Sequence, residues 1–242
     1  MTLVPLGDQA ILVYLPNELA AIRFVAAVRE ANPQWLQDVV PAYASVGVFF
    51  DPDAIRTVDV LAWLRETALN PGKFDYLDPG HPRSFHIPVC YALEQDMARV
   101  CAHTGLSPDD IIRLHSGIEY TVHAIGFVPG FPYLGYLPAE LSGVGRLHSP
   151  RVQVEPGSVG LTGRQTGIYP LPRPGGWNLI GRTPLVIVDV AVGFFPLRVG
   201  DHVRFVPIDE PTFRQLQGSR LEPRDTVQVS QDGVPPPAGS LV

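Results

Sequence analysis

Residues 156–185 read PGSVGLTGRQTGIYPLPRPGGWNLIGRTPL and set the architecture of the C-terminal half. Together with GFVPGFPYLGYLP at residues 126–138, this stretch lies in a segment, 126–182, in which about 35% of the residues are glycine or proline. Both residue types disfavour helix interiors, so long helices are excluded here. The segment is therefore predicted to form short strands joined by tight turns, as in a β-barrel or a sandwich.

Upstream of this segment, strand-like and helix-like stretches alternate. The predicted strands are residues 9–15, 38–43, 45–50 and 84–89, and the predicted helices are 17–31 and 58–69. The order β-α-β-β-α-β is that of a ferredoxin-like domain. We therefore predict an α+β fold with a ferredoxin-like domain at 1–90, a helical connector at 91–117, a β-barrel domain at 118–210 and a C-terminal tail at 211–242.

Further elements are predicted around the glycine- and proline-rich segment. Residues 93–103 have helical character, and Ser107-Pro108 begins a second helix that runs to about His115. Strands are predicted at 120–127, 184–192 and 202–207. These elements complete the connector and the barrel.

Composition excludes several classes of protein. The 242 residues carry a net charge of −6, and a hydrophobic fraction of 45% is enough for a packed core. No apolar run approaches the ~18 residues of a membrane span, and the N-terminus does not resemble a signal peptide. Two cysteines exclude a disulfide scaffold. A cytoplasmic protein without a membrane partner is the expectation.

The charges are unevenly distributed. Lys73 is the only lysine, and the segment 126–182 holds five arginines and two glutamates within a chain of negative net charge. No long basic helix or basic patch with interleaved aromatics is present, so no nucleic-acid partner is predicted. A local anion-binding site is favoured, because the arginine guanidinium binds carboxylates and phosphates with two parallel hydrogen bonds.

Several well-known catalytic motifs are absent from the sequence. The glycine-rich loops lack the Lys-Ser/Thr of a phosphate-binding loop, and Ser158 is not in a Gly-x-Ser-x-Gly motif. No pattern of histidines or cysteines predicts a metal site. His115 is interpreted as a structural partner of carbonyls at a helix end, and His123 as a structural histidine within a strand.

An aromatic loop at residues 126–135 is the first candidate functional element. Its glycines and prolines make it stiff, and stiffness favours a role in contacting a pocket or a partner. Packing over one end of the barrel is the alternative. The candidate residues of this loop are Phe127, Pro129, Gly130, Phe131, Pro132 and Tyr133.

A second set of residues has the composition of a small-molecule site, in which apolar walls surround a few polar groups. We predict that these residues converge on one concave face of the barrel and bind a small-molecule substrate. They are Arg151, Ser158, Gln165, Thr166, Tyr169, Trp177 and Arg182.

These motifs carry a family resemblance. The two glycine- and proline-rich stretches, with VGDHVRF at 199–205, LSPDDIIRLHSGIEYTVHAIGF at 106–127 and VPAYASVGVFFDP at 40–52, resemble the B subunit of bacterial ATP-dependent 5-oxoprolinase. The same family has been called allophanate hydrolase subunit 1 and includes an inhibitor of a sporulation histidine kinase. The resemblance spans roughly residues 5–208. The chain departs from the family pattern at 92–97, which lacks a glycine-rich stretch, and at 154–157.

The resemblance implies a fold, a reaction and partners. It implies a ferredoxin-like domain followed by a cyclophilin-like β-barrel. It also implies a related barrel protein, the C subunit, and a lactam-acting protein, the A subunit. Together the three proteins would hydrolyse ATP and open 5-oxoproline to glutamate. ATP would be shared with the partner subunits, and this chain, a subunit of an amidohydrolase, would be inactive alone.

The chemistry suggests roles for individual side chains. A five-membered lactam is a stable cis amide, and Gln165 offers one donor and one acceptor to it. Arg182 or Arg151 is a candidate for binding a carboxylate or phosphate, and Tyr169 and Trp177 for the walls around the ring. The absence of an obvious general base favours a half-site that a partner protein completes. Two alternatives stay open: a non-enzymatic regulator that inhibits a sensor histidine kinase, and a subunit in urea or allophanate metabolism.

Overall fold

The computed structural model describes residues 1–69, 82–93 and 95–223. The fold is mixed α/β, and its main sheet is mostly antiparallel. Lys73 and residues 224–242, the last part of the predicted tail, lie outside the described residues. Among the described residues, none of the helices combines the length and the apolar character needed to cross a bilayer.

The N-terminal part is a four-stranded antiparallel sheet with two helices. In chain order its elements are β1 (Thr2–Pro5), β2 (Ala10–Tyr14), α1 (Glu18–Ala31), β3 (Leu36–Ala42), β4 (Ser45–Phe50) and α2 (Thr57–Leu69). The strands lie in the order β1-β2-β4-β3. The predicted strands and helices of this part are confirmed, and the side chain of Asn17 caps α1 by accepting from the Ala20 N–H at 2.9 Å.

The last strand of the predicted ferredoxin-like order lies elsewhere. β5 (Ser84–Val89) has the predicted bounds, but it pairs in parallel with β13 (His202–Pro207), and β1 occupies the sheet edge beside β2. Phe85, Ile87 and Val89 are fully buried in the core of the C-terminal part, which gives β5 its place there. Residues 82–89 therefore pack with the hydrophobic core of the C-terminal part.

Short helices follow β5. A single 3₁₀ turn, Tyr91–Leu93, precedes α3 (Met97–Thr104) and α4 (Pro108–Ser116). Gly105 ends α3 in the left-handed conformation, and the Ser107 hydroxyl caps α4. The helical connector is thus present, with its two longer helices close to the predicted bounds.

The C-terminal part consists of short strands, as the glycine and proline content predicts. Its elements are β6 (Glu119–Ile125), β7 (Pro132–Gly135), β8 (Arg151–Val154), β9 (Ser158–Thr162), β10 (Gln165–Ile168), β11 (Arg173–Gly175), β12 (Asn178–Arg182), β13 and α5 (Glu210–Leu216). The sheet continues from β3 through β6-β7-β10-β9-β12, while β8 and β11 form a separate pair. The strand ladder does not close, but two hydrogen bonds between Cys90 and Arg182 connect β12 to the end of β5.

Two predictions for the C-terminal part need correction. Residues 184–192 are not a strand, since this stretch makes only isolated bridges, from Val186 to Arg220 and from Asp189 to Phe194. Its apolar residues instead pack individually or lie exposed, as Val190 and Val192 do. Within the segment predicted as a tail, α5 is helical and Leu221 is buried.

Two hydrophobic cores lie on either side of a narrow junction. Ile11, Phe24 and Leu64 belong to the N-terminal core, and Tyr120 and Phe205 belong to the C-terminal core. The sheet crosses between them where Ala42 of β3 faces Ala124 of β6. The Tyr43 N–H also donates to the His123 carbonyl across this junction at 3.1 Å.

Candidate functional site

The predicted substrate-binding residues are divided between the two faces of the sheet β7-β10-β9. Thr166 is fully buried and faces the C-terminal core, where it contacts His115. Gln165 and Gly167 flank Thr166 and so point to the opposite, outer face. The Gly167 backbone packs against the Phe131 ring, which is 5.4 Å from the Trp177 ring between centroids. Gln165 and Trp177 therefore share the outer face, and Thr166 does not belong to it.

An aromatic cluster covers this outer face. The Phe131 ring lies 4.9 Å from Tyr133, 5.2 Å from Tyr169 and 5.6 Å from Phe127, all edge-to-face. Phe131, Tyr169 and Trp177 are buried, whereas Phe127 is 59% exposed. The rings of the cluster therefore pack mainly on one another, and Phe127 presents its side chain to solvent.

The remaining candidate residues of the loop differ in burial. Gly130 has a positive φ of 74° and packs tightly against Val188. Pro129 is exposed, and buried Pro132 begins β7. The aromatic loop thus packs on one face of the sheet, and both a role toward a pocket or a partner and the covering of a barrel end stay predictions.

Arg151 lies at one edge of the aromatic cluster. It is opposite Gly175 in the β8–β11 pair, and Gly175 packs against the Tyr169 ring. The Arg151 Nη2 donates to Asp96 at 2.7 Å, and the other Asp96 oxygen accepts from the Leu179 N–H, also at 2.7 Å. The Arg151 Nη1 is buried and makes no hydrogen bond. One nitrogen of a firmly positioned guanidinium is thus left for another acceptor.

The positive charge of Arg151 interacts electrostatically with a side chain of the aromatic cluster. Burial raises the pKa of Tyr169, and the positive charges of Arg146 and Arg151 oppose part of that rise. The Arg99 Nε donates to the Asn178 side chain at 2.9 Å. Arg99, Arg146 and Arg151 therefore lie near this edge, and an anion site here stays a prediction.

Arg182 and Ser158 occupy a different position. They face each other across β12 and β9, and the Arg182 Nε donates to the Pro156 carbonyl at 3.0 Å. Arg182 lines a cavity of about 290 Å³ whose walls include Pro184 and Phe213 of α5. Ser158 is buried, and its carbonyl accepts from the Tyr169 N–H. The seven predicted residues therefore do not form a single cavity.

A second cluster, which the sequence analysis did not identify, lies beside Gln165 at the junction of the two cores. The His123 ring is 5.2 Å from Tyr43 and 5.3 Å from Tyr136. The Tyr136 hydroxyl donates to Glu18 at the start of α1, and the Arg164 guanidinium lies 4.4 Å above the Tyr136 ring. We call these five residues the junction cluster.

The ionisable groups of the junction cluster are perturbed together. The Tyr136 hydroxyl lowers the pKa of Glu18, and burial lowers the pKa of His123. Burial also raises the pKa values of Tyr43 and Tyr136. Gln165 approaches the Tyr43 hydroxyl, but their contact does not have the geometry of a hydrogen bond. Groups with perturbed pKa values gathered at one place are typical of functional sites.

Two residues of the junction cluster lie in separate stretches of the sequence that were already singled out as motifs. Tyr43 lies in VPAYASVGVFFDP and His123 in the stretch that ends VHAIGF, both of which carry the family resemblance. Because Tyr43 and His123 are far apart along the chain, the sequence did not predict that they are in contact. In the part of the chain that the structure describes, no three His, Cys, Asp or Glu side chains are grouped so that they could hold a metal ion.

Comparisons with known proteins identify relatives of this chain. The family described as carboxyltransferase domain, subdomain C and D, matches residues 1–192. The 5-oxoprolinase B subunit of Escherichia coli O157:H7 is 48% identical over 151 residues, which are 61% of this chain and 65% of that protein. The 5-oxoprolinase B subunit of Bacillus subtilis (strain 168) is 35% identical over 237 residues, which are 86% of this chain and 93% of that protein.

Among solved structures, the urea amidolyase of Kluyveromyces lactis has a similar fold. The TM-score is 0.72 at 17% identity, and the match covers 91% of this chain but only 16% of that much longer protein. At this identity the likeness concerns the fold alone. The extent of the match shows that the arrangement described above also occurs within a larger enzyme.

Proposed function

Because this chain belongs to the carboxyltransferase domain family, subdomains C and D, and within it to the family of 5-oxoprolinase B subunits, we propose that it is one component of an ATP-dependent 5-oxoprolinase. The assembled enzyme would open 5-oxo-L-proline to L-glutamate. The partners would be a related barrel protein, the C subunit, and a lactam-acting protein, the A subunit.

The finer fold assignment is part of this proposal. The N-terminal part would be a ferredoxin-like sheet in which the N-terminal strand β1 takes the edge position expected for the last strand, and the strand order β1-β2-β4-β3 supports this. The C-terminal part would be a cyclophilin-like barrel, in which the contact between Cys90 and Arg182 connects the two ends of the strand ladder.

The observation that carries the proposal is the geometry of Arg151. Asp96 fixes the guanidinium through Nη2, while Nη1 has no hydrogen-bond partner beside the aromatic cluster. A buried donor without a partner costs roughly 1–3 kcal/mol, and a carboxylate or phosphate oxygen would remove that cost. We therefore favour Arg151 over Arg182 as the anion ligand, because only Arg151 has a buried guanidinium nitrogen without a partner among the described residues.

The chain would contribute only part of the active site, and the partner subunits would complete it. Opening a lactam at neutral pH requires activation, which transfer of a phosphoryl group from ATP to the lactam oxygen would supply. Arg151 would bind an anionic group of substrate or of ATP, and the phosphoryl-transfer machinery would come from the partner subunits. The isolated chain would then lack turnover.

Reconstitution tests the proposal. The chain would be mixed with the two partner subunits from the same genome, and 5-oxoproline-dependent ATP hydrolysis and glutamate formation would be measured. We expect activity only when all three subunits are present. Full activity of the isolated chain would contradict the half-site, and inactivity of every mixture together with tight binding to a sensor histidine kinase would favour the regulator instead.

A pair of variants tests the role of Arg151 within the active complex. Arg151→Gln should raise the KM for 5-oxoproline or for ATP by about ten- to a hundredfold, because it removes a charged hydrogen-bond donor. Whichever KM rises identifies the anion that Arg151 binds. Arg113→Gln removes an exposed arginine that pairs only with Asp110 on α4, and it serves as the matched control. Unchanged kinetics of Arg151→Gln would exclude this residue from the site.

A further inference from the structure

Two buried polar atoms without hydrogen-bond partners lie in neighbouring side chains of the junction cluster. They are the Tyr43 hydroxyl and the His123 Nδ1. Among the described residues, the only other such side-chain atom is the Arg151 Nη1. A buried polar group without a partner destabilises the folded state, so two of them on adjacent rings call for a physical explanation.

The backbone holds this pair in a fixed arrangement. Tyr43 has a φ of 55°, in the left-handed region that non-glycine residues seldom adopt, and its N–H donates to the His123 carbonyl. Tyr43 is the first residue of the two-residue turn between β3 and β4, where a positive φ is the usual hairpin geometry. The hydroxyl and Nδ1 are therefore presented by a defined local geometry.

The hydrogen-bonding roles of the two atoms can be assigned. The Nε2 edge of the His123 ring lies against Gly135, so we assign the interaction of this histidine with the Gly135 backbone to Nε2. A proton on Nε2 leaves Nδ1 as an acceptor in the neutral ring. Burial raises the pKa of Tyr43, so its hydroxyl keeps its proton and acts as a donor. The pair thus offers one acceptor and one donor.

We propose that Tyr43 and His123 bind the amide group of a small cyclic amide, with the ligand N–H donating to the His123 Nδ1 and the ligand carbonyl accepting from the Tyr43 hydroxyl. Gln165 lies alongside, and Arg164 provides a positive charge for a carboxylate on the ring. The identification of this ligand as 5-oxoproline rests on the proposed function. The binding site itself rests on the geometry of the pair.

Tyr136 controls access to the site. Its ring is 6.1 Å from Tyr43 and 5.3 Å from His123, and 37% of the residue is exposed. Glu18 holds its hydroxyl, and Arg164 covers one face of its ring. The ligand would enter by displacing the Tyr136 side chain, which leaves the Arg164 guanidinium free for the carboxylate.

The site should respond to pH in a definite direction. Protonation of His123 places a proton on Nδ1 and removes the acceptor. The pKa of His123 is already lowered by burial, so binding should be constant near pH 7 and weaken as the pH falls below the usual range of histidine. The ionisable groups around the pair formed by His123 and Tyr43 are Glu18, Tyr133, Tyr136 and Arg164.

Ligand analogues test the proposal directly. Binding of 5-oxoproline to the full-length chain would be measured by calorimetry and by NMR of the histidine ring protons, with N-methyl-5-oxoproline and proline as probes. N-methylation removes the N–H, and proline lacks the carbonyl, so each change should weaken binding at least about tenfold. Equal binding of 5-oxoproline and N-methyl-5-oxoproline, or no binding to the chain or to the complex, would overturn the proposal.

Variants distinguish an error in this binding site from an error in the proposed function. Tyr43→Phe and His123→Phe keep the rings and should each weaken 5-oxoproline binding about tenfold, whereas Tyr14→Phe, at an exposed position, should not. If the complex turns over 5-oxoproline and both variants keep the wild-type KM, the site is wrong and the function stands. If no complex is active but the chain binds the lactam through Tyr43, the site stands and the function is wrong.

Discussion

The hydroxyl of Thr166 lies 2.9 Å from the Nε2 of His115 in the C-terminal core. The same hydroxyl donates to the Gly160 carbonyl at 3.0 Å, so it must accept from the His115 Nε2–H. The His115 Nδ1 is then the acceptor for the Tyr91 hydroxyl at 2.7 Å. His115 is therefore a fully satisfied member of a buried network, and neither caps a helix end nor belongs to the outer face.

Removal of the Thr166 hydroxyl should destabilise the protein. Thr166→Val keeps the shape of the side chain but leaves the His115 Nε2–H without an acceptor, which should lower the free energy of unfolding by about 1–3 kcal/mol. Urea denaturation measures this loss. Thr166→Ser keeps the hydroxyl and should lose less, and equal losses for the two variants would contradict the network.

The buried histidine should make stability depend on pH. Burial lowers the pKa of His115 to about 3, while the unfolded chain has the ordinary value near 6.5. Between these values the unfolded state binds one more proton than the folded state, so stability falls as the pH falls below about 6.5. The slope from this group is about 1.4 kcal/mol per pH unit. Urea denaturation between pH 5 and pH 7.5 should show a smaller slope for His115→Gln, and identical slopes would contradict the shift.

Two adjacent glycines should differ in their tolerance of a side chain. A Cβ at Gly175 would lie 2.5 Å from the Tyr169 hydroxyl oxygen, whereas the nearest atom to a Cβ at Gly176 is 3.6 Å away, on Pro150. Gly175→Ala should therefore displace the buried Tyr169 ring and cost about 1–3 kcal/mol in thermal or urea unfolding. Gly176→Ala is the matched control and should have a free energy of unfolding close to that of the wild type. A larger loss of stability for Gly176→Ala than for Gly175→Ala would show that the aromatic cluster tolerates displacement of the Tyr169 ring.

The exposed ring of Phe127 should matter for assembly more than for folding. Phe127→Ser removes a ring that is 59% exposed, so the melting temperature should change little, while affinity for the partner subunits should fall about tenfold. Light scattering and calorimetry on the assembled complex measure this. Val58→Ser, at a residue of α2 that is 61% exposed, is the control, and full affinity of Phe127→Ser would restrict the aromatic loop to packing.

Most helices and strands of this protein, and its family, could be predicted from the sequence alone. Local periodicity identified α1, β4 and β5, because the spacing of apolar residues reflects which side of an element is buried. The glycine and proline content correctly excluded long helices between residues 126 and 182, because both residue types oppose helix formation locally. The strand predicted from the apolar run at 184–192 was wrong, because this run packs without a strand partner to complete a ladder.

The pairing of the elements and the contacts between distant side chains could not be predicted from the sequence. The pairing of β5 with β13 depends on contacts between residues more than a hundred positions apart, and no local pattern encodes such a choice. Within β10, the register directs Thr166 to the core and Gln165 to the outer face, and a shift of one residue would reverse both. Tyr43 and His123 meet for the same reason: strand pairing across the junction brings together two segments that are far apart along the chain.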